Sequence, residues 1–108
     1  MNAVNADTFA ELVEGAAQPV VVDMWGPQCA PCLALMPEVE RLAENYAGRA
    51  NFYKLNVAEN RRLCITLRVM GVPTILFYQG GECRARLTGD AVTIEAITAE
   101  VEKLLTNA

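Results

Sequence analysis

A run of six nearly uninterrupted apolar residues, Val20-Val21-Val22-Asp23-Met24-Trp25, stands just ahead of Gly26-Pro27 and a long amphipathic segment, which leaves few folds open to this chain. The β-branched residues at its start mark the run as a strand, and apolar side chains at both alternating positions mean that both faces of the strand are covered. Such strands belong to sheets with helices packed on either side. Asp23 is the exception within the run. It shares a strand face with Val21 and Trp25, so it reads as a buried, proton-exchanging acid rather than a solvated carboxylate at a strand end.

The pattern on either side agrees with a layered α/β fold. Over 30–47 the apolar positions Cys32, Leu35, Met36, Val39, Leu42, Ala43 and Tyr46 recur at helical steps, and Gly48 supplies a left-handed residue after the helix end. Pro31 falls in the first turn, where no intrahelical donor is lost. Pro37 falls inside, removes the bond to the Leu33 carbonyl and predicts a kink. A second strand is expected over 51–57 around Phe52, Leu55 and Val57, then a short helix over 61–67, giving the order β-α-β-α. Residues 74–78 and 82–88 flank Gly80-Gly81, the signature of a hairpin with a primed turn. Ile94, Ile97, Val101, Leu104 and Leu105 put a closing amphipathic helix over 92–105. At the other end, Thr8-Phe9-Ala10-Glu11 reads as a capping box opening a short helix that ends near Gly15, with Phe9, Leu12 and Val13 as its apolar stripe.

With 108 residues and 53% hydrophobic content, the expectation is a single domain over 1–108. Thirteen Asp and Glu against nine Lys and Arg give a net charge of −4, which offers no basic footprint for nucleic acid. The chain has no histidine, so Ser-His-Asp and Cys-His nucleophile pairs and histidine metal ligands are excluded. Proton chemistry falls to carboxylates, lysines and thiols, and neither a metal nor a cofactor is expected. No apolar run approaches the roughly 18 to 20 residues of a membrane span. The first residues carry neither a basic nor an apolar leader pattern, so a cytoplasmic chain is expected, with its thiols in a reducing setting.

Cys29-Ala30-Pro31-Cys32 stands where the apolar strand passes into the helix. At a helix start, unpaired N–H groups and the positive end of the macrodipole favour a thiolate, which makes Cys29 the candidate nucleophile. Cys32, one turn in, points back toward that turn and is the resolving thiol. A zinc site would need a second, well-spaced pair, and Cys64 and Cys83 stand 19 positions apart. Cys83 alternates in phase with Ala85 and Leu87, opposite to Arg84 and Arg86, and is expected to be buried. Cys64, between Leu63 and Ile65, is expected to be partly buried in the short helix; Arg61 and Arg62 would lower its pKa were it exposed. Lys54 alone is an ordinary strand lysine, and Trp25 reads equally as core filler or as a shield over the dithiol.

Val21-Val22-Asp23-Met24-Trp25, Gly26-Pro27-Gln28-Cys29-Ala30-Pro31-Cys32, Pro37, Lys54, Val72-Pro73-Thr74, Gly80-Gly81 and Gly89 together resemble the thioredoxin family over nearly the whole chain. The resemblance implies a thioredoxin fold, a central mixed sheet flanked by helices, with a cis peptide at Val72-Pro73 beside the dithiol. It implies a disulfide reductase in which Cys29 attacks, Cys32 resolves, and Asp23 takes the proton of Cys32 with Lys54 nearby. The implied partners are proteins bearing disulfides and a thioredoxin reductase or other electron donor, met by a monomer. The implied substrate groove comprises Gln28, Ala30, Pro31, Met70, Gly71, Val72, Gly89 and Asp90, with the backbone of Val72 pairing with an extended segment. Members usually carry Trp before the first cysteine and Gly after it. Gln28 and Ala30 stand there instead, and an amide in place of an indole implies narrower partner choice. The rival readings are an oxidase or isomerase of the same fold, which a secretion signal would favour, and a non-catalytic binding module, against which both cysteines argue.

Overall fold

The apolar run is the central strand of a five-stranded sheet in a computed structural model that describes residues 1–106. In chain order the strands are β1 (Asn2–Ala3), β2 (Val20–Trp25), β3 (Asn51–Asn56), β4 (Thr74–Gln79) and β5 (Glu82–Thr88). The helices are α1 (Ala30–Asn45), α2 (Arg61–Leu67) and α3 (Ile94–Thr106). The sheet order is β1-β3-β2-β4-β5. β2 runs parallel to β3 and antiparallel to β4, so the sheet is mixed, as the family resemblance implied.

Strand alternation sorts β2 into two cores. Val21 packs with Val39 and Leu42 of α1 and with Ile97 and Val101 of α3 on one face. Val20, Val22 and Met24 pack with Phe9, Val13 and Cys64 on the other. Buried apolar area on both faces is the main force holding β2 in place. The Gly80-Gly81 turn has φ of +63° and +83°, the doubly positive pair that a primed hairpin requires and that glycine adopts without strain.

Several expectations need correction. The N-terminal cap is Asn5, not Thr8. Asn5 Oδ1 accepts from the amides of Asp7 and Thr8, and Thr8 Oγ1 accepts from the Asn5 amide, the reciprocal pattern started three residues early. The segment it opens continues as a π-helical turn, Ala10–Glu14. Cys83 is exposed rather than buried. Phe77 lies opposite Ala85 but Tyr78 lies opposite Cys83, so Arg84 is the extra residue of a β-bulge. One inserted residue reverses the parity of everything before it, leaving Ala85 and Leu87 on the core face and Cys83 out of phase. The closing helix starts at Ile94, because a 3₁₀ turn, Gly89–Ala91, intervenes and Thr93 Oγ1 then accepts from the Ala96 amide. Pro37 lies inside α1, as expected, and the helix runs through it. Strand β1, two residues paired parallel to β3, carries no sequence pattern of its own.

Candidate active site

Cys29 is the N-cap of α1. Its backbone is extended (φ −94°, ψ 98°), its carbonyl accepts from the Leu33 amide, and its Sγ accepts from the Cys32 amide at 3.2 Å. A cap residue turns its side chain toward the unpaired N–H groups of the first turn, so a thiolate at Cys29 would meet a backbone donor and the positive helix end together. No acidic residue in that turn opposes the effect. Cys29 is joined to Cys32 by a disulfide, and the two differ in access: Cys29 is half-buried, whereas Cys32 is 1% exposed.

Asp23 lies on the face of β2 that α1 covers and is 2% exposed, and its Oδ2 has no hydrogen-bond partner. Burial pushes its carboxyl up to about 6 from an ordinary 3.8, while the Lys54 ammonium pulls it down. Lys54 is the register partner of Asp23 on β3, near it but not in an ion pair with it among the described residues. Trp25, at the end of the same strand, is half-buried. Cys64 is buried, and desolvation raises its thiol pKa despite Arg61 and Arg62 nearby in sequence.

The Val72-Pro73 peptide is cis. The loop holding it is tied at both ends: Thr74 Oγ1 donates to the Gly71 carbonyl at 2.7 Å, and the Gly89 amide donates to the Pro73 carbonyl at 3.0 Å. Among the described residues, neither the N–H nor the C=O of Val72 has a hydrogen-bond partner. A hollow of about 910 Å³ runs beside the disulfide, lined by Cys29 and by Gln28, Ala30, Pro31, Met70, Gly71 and Val72 from the expected groove. Gly89 and Asp90 line an adjoining hollow with Pro31, Val72 and Pro73. Asp23, Trp25, Cys32 and Lys54 line neither; Asp23 and Cys32 are buried behind the surface, and Trp25 and Lys54 are half-buried. Sequence reasoning missed the wall that α2 contributes to the larger hollow, Arg61, Cys64 and Ile65. The available signal was Ile65, an apolar residue on the outer side of a short helix and 75% exposed.

Comparison with known proteins gives a consistent result. The thioredoxin family model matches residues 1–103. The chain is 41% identical over 100 residues to a thioredoxin of Peptoclostridium acidaminophilum, covering 93% of this chain and 91% of that protein. It is 40% identical over 102 residues to thioredoxin M2, chloroplastic, of Arabidopsis thaliana, covering 94% of this chain and 54% of that one. It is 37% identical over 102 residues to thioredoxin M-type, chloroplastic, of Pisum sativum, covering 94% and 59%. The chain thus spans between half and three fifths of the length of these two plant relatives.

Proposed function

The chain belongs to the thioredoxin family, and we propose that it is a protein disulfide oxidoreductase acting as a reductase through Cys29 and Cys32. The observation that carries this reading is the Cys29–Cys32 disulfide at the N-terminus of α1, with its outer sulfur on a groove and its inner one buried. In the reduced protein the Cys29 thiolate attacks one sulfur of a substrate disulfide. A Cys29–substrate bond forms, the substrate disulfide breaks, and the departing thiolate takes a proton from solvent. Cys32 then passes its proton to Asp23 and attacks Cys29 Sγ, which releases the second substrate thiolate and forms the Cys29–Cys32 disulfide. Two electrons have moved to the substrate. An external donor, a thioredoxin reductase or another dithiol, restores the pair.

The roles follow from placement. Cys29 is within reach of a partner and Cys32 is not, which sets the order of attack. A carboxyl held near 6 accepts a proton near neutral pH and gives it up again, which a surface carboxylate near 4 does poorly. The unpaired Val72 backbone supports pairing with an extended substrate segment, which would bring its disulfide over Cys29. Under this reading the protein acts as a monomer in the reducing cytoplasm, where the free thiols Cys64 and Cys83 persist. The test is catalysis of insulin disulfide reduction with dithiothreitol as donor. The wild type should accelerate reduction, with Cys29→Ser at the uncatalysed rate. A wild type no faster than dithiothreitol alone would overturn the proposal.

A further inference from the structure

Three hollows meet at Val72. The larger one holds Cys29; a second, on the α1 side, shares Pro31 and Val72 with it; a third, toward β5, shares Met70, Gly71 and Val72. Their charged lining is segregated. Arg61 of α2 lines the first, and Arg68, just past the end of α2, and Arg86 of β5 line the third. Glu38 and Asp90 line the second. In a chain of net charge −4, the α2 and β5 side of the disulfide is basic and the α1 side acidic.

These charges are exposed and uncommitted. Among the described residues, the ion pairs are Met1 with Glu40, Arg84 with Glu82 and Lys103 with Glu100, so none of the five takes part. Glu59, two residues before Arg61, pairs with neither Arg61 nor Arg62, and the first turn of α2 carries no acidic residue. Arg86 is held in place by neutral groups: its guanidinium donates to the Arg68 carbonyl at 2.7 Å and the Leu67 carbonyl at 2.6 Å. That contact satisfies the end of α2 and supports Arg68 in its left-handed conformation (φ 58°), yet leaves the positive charge unneutralised. Between the arginines lies an apolar floor, with Ile65 75% and Met70 94% exposed.

Resting on the oxidoreductase reading, we propose that this groove selects its protein substrates by charge order along the segment. The occupant is an extended disulfide-bearing segment with an acidic flank over Arg61, Arg68 and Arg86 and a basic flank over Glu38 and Asp90. A segment laid across Val72 has its two ends over opposite potentials, so one orientation is attracted at both ends and the other repelled at both. Rim charges of this kind act chiefly on the rate of productive encounter and weaken with salt.

The test uses the full-length protein, reduced with dithiothreitol, and two synthetic peptides of equal composition, each closed by one disulfide. One carries a glutamate tract on its first flank and a lysine tract on its second; the other carries them reversed. At low salt one peptide should be reduced about tenfold faster than its mirror, and the preference should collapse at high salt. Arg61→Glu alone should shrink the ratio about threefold, and Arg61→Glu/Arg68→Glu with Glu38→Lys/Asp90→Lys should invert it. Because the readout is a ratio within each variant, a general loss of activity cancels. Equal rates for both peptides at low salt, or a preference that survives charge reversal, would overturn the charge-order proposal while leaving the reductase reading intact. If neither peptide is reduced, both readings fall together.

Discussion

Asp23→Asn should stabilise the oxidised protein by roughly 3 kcal/mol at about pH 8 and change it little at about pH 4. The Asp23 carboxyl is 2% exposed with an unpartnered oxygen, and burial raises it from 3.8 to about 6 even against the opposing Lys54. The folded state therefore holds the proton more tightly than the unfolded chain does. Below the unfolded value both states are protonated and ionisation exerts no penalty. As pH rises between the two values, folding becomes coupled to proton uptake and stability falls. Above the folded value the full penalty of a buried carboxylate is present. The interval from 3.8 to about 6, at about 1.4 kcal/mol for each tenfold change in proton affinity, gives the figure of roughly 3 kcal/mol. Asparagine keeps the shape and never ionises, so its advantage should grow through this window and level off above it. Denaturant unfolding of both proteins across the pH range, followed by Trp25 fluorescence, measures the difference directly. A stability difference that is constant with pH, or a variant less stable than wild type at about pH 8, would refute the reasoning.

Cys32→Ser should accumulate stable mixed disulfides with substrate proteins, and Cys29→Ser almost none, because the remaining thiol is 1% exposed; equal trapping in mass spectrometry would remove the order of attack. Asp23→Asn should also slow the resolution step at neutral pH while sparing the first attack, which stopped-flow Trp25 fluorescence separates. Gln28→Trp should raise kcat/KM for insulin several-fold, on the order of 1 kcal/mol, with the dithiol midpoint potential nearly unchanged; a shift in potential with rates that follow it would make residue 28 a tuner of the cysteines instead. In the oxidised protein, one thiol should react rapidly with a soluble disulfide reagent and one only on unfolding, matching exposed Cys83 and buried Cys64; two fast thiols would contradict that assignment.

What could be read in advance was local or strongly periodic. Strand β2, its buried acid, the cap position of Cys29 and the glycine hairpin each depend on residues adjacent in sequence. Cys83 was misplaced because one bulge residue, Arg84, defeats an alternation that is otherwise sound on either side of it. Thr8 was misread because Asn5 offers an equivalent cap three residues earlier, and nothing in the pattern ranks the two. The wall formed by α2 depends on contacts across long separations. Arg86 reaches the carbonyls that end α2 from 18 and 19 residues away, a partnership that neither segment announces. Groove residues such as Gln28, Met70 and Asp90 were legible only by family resemblance, since their chemistry alone marks ordinary loop positions.

The bulge at Arg84 also bears on how the protein survives at high concentration. A sheet offers unpaired backbone at its two outer strands, and open strands of that kind seed amyloid-like stacking and precipitation. Here one outer strand, β1, is two residues long, and the other, β5, is interrupted by the bulge and carries Arg84 and Arg86. Neither outer strand gives a second copy of the chain a long, flat, uncharged row on which to grow. Removing Arg84 would pair Cys83 and Ala85 with Tyr78 and Phe77 as consecutive rungs and restore continuous alternation to β5, leaving a smoother and less charged margin. An irregularity of a single residue is thus one of the fold's guards against edge-to-edge growth, and a deletion that tidied the strand should favour aggregation.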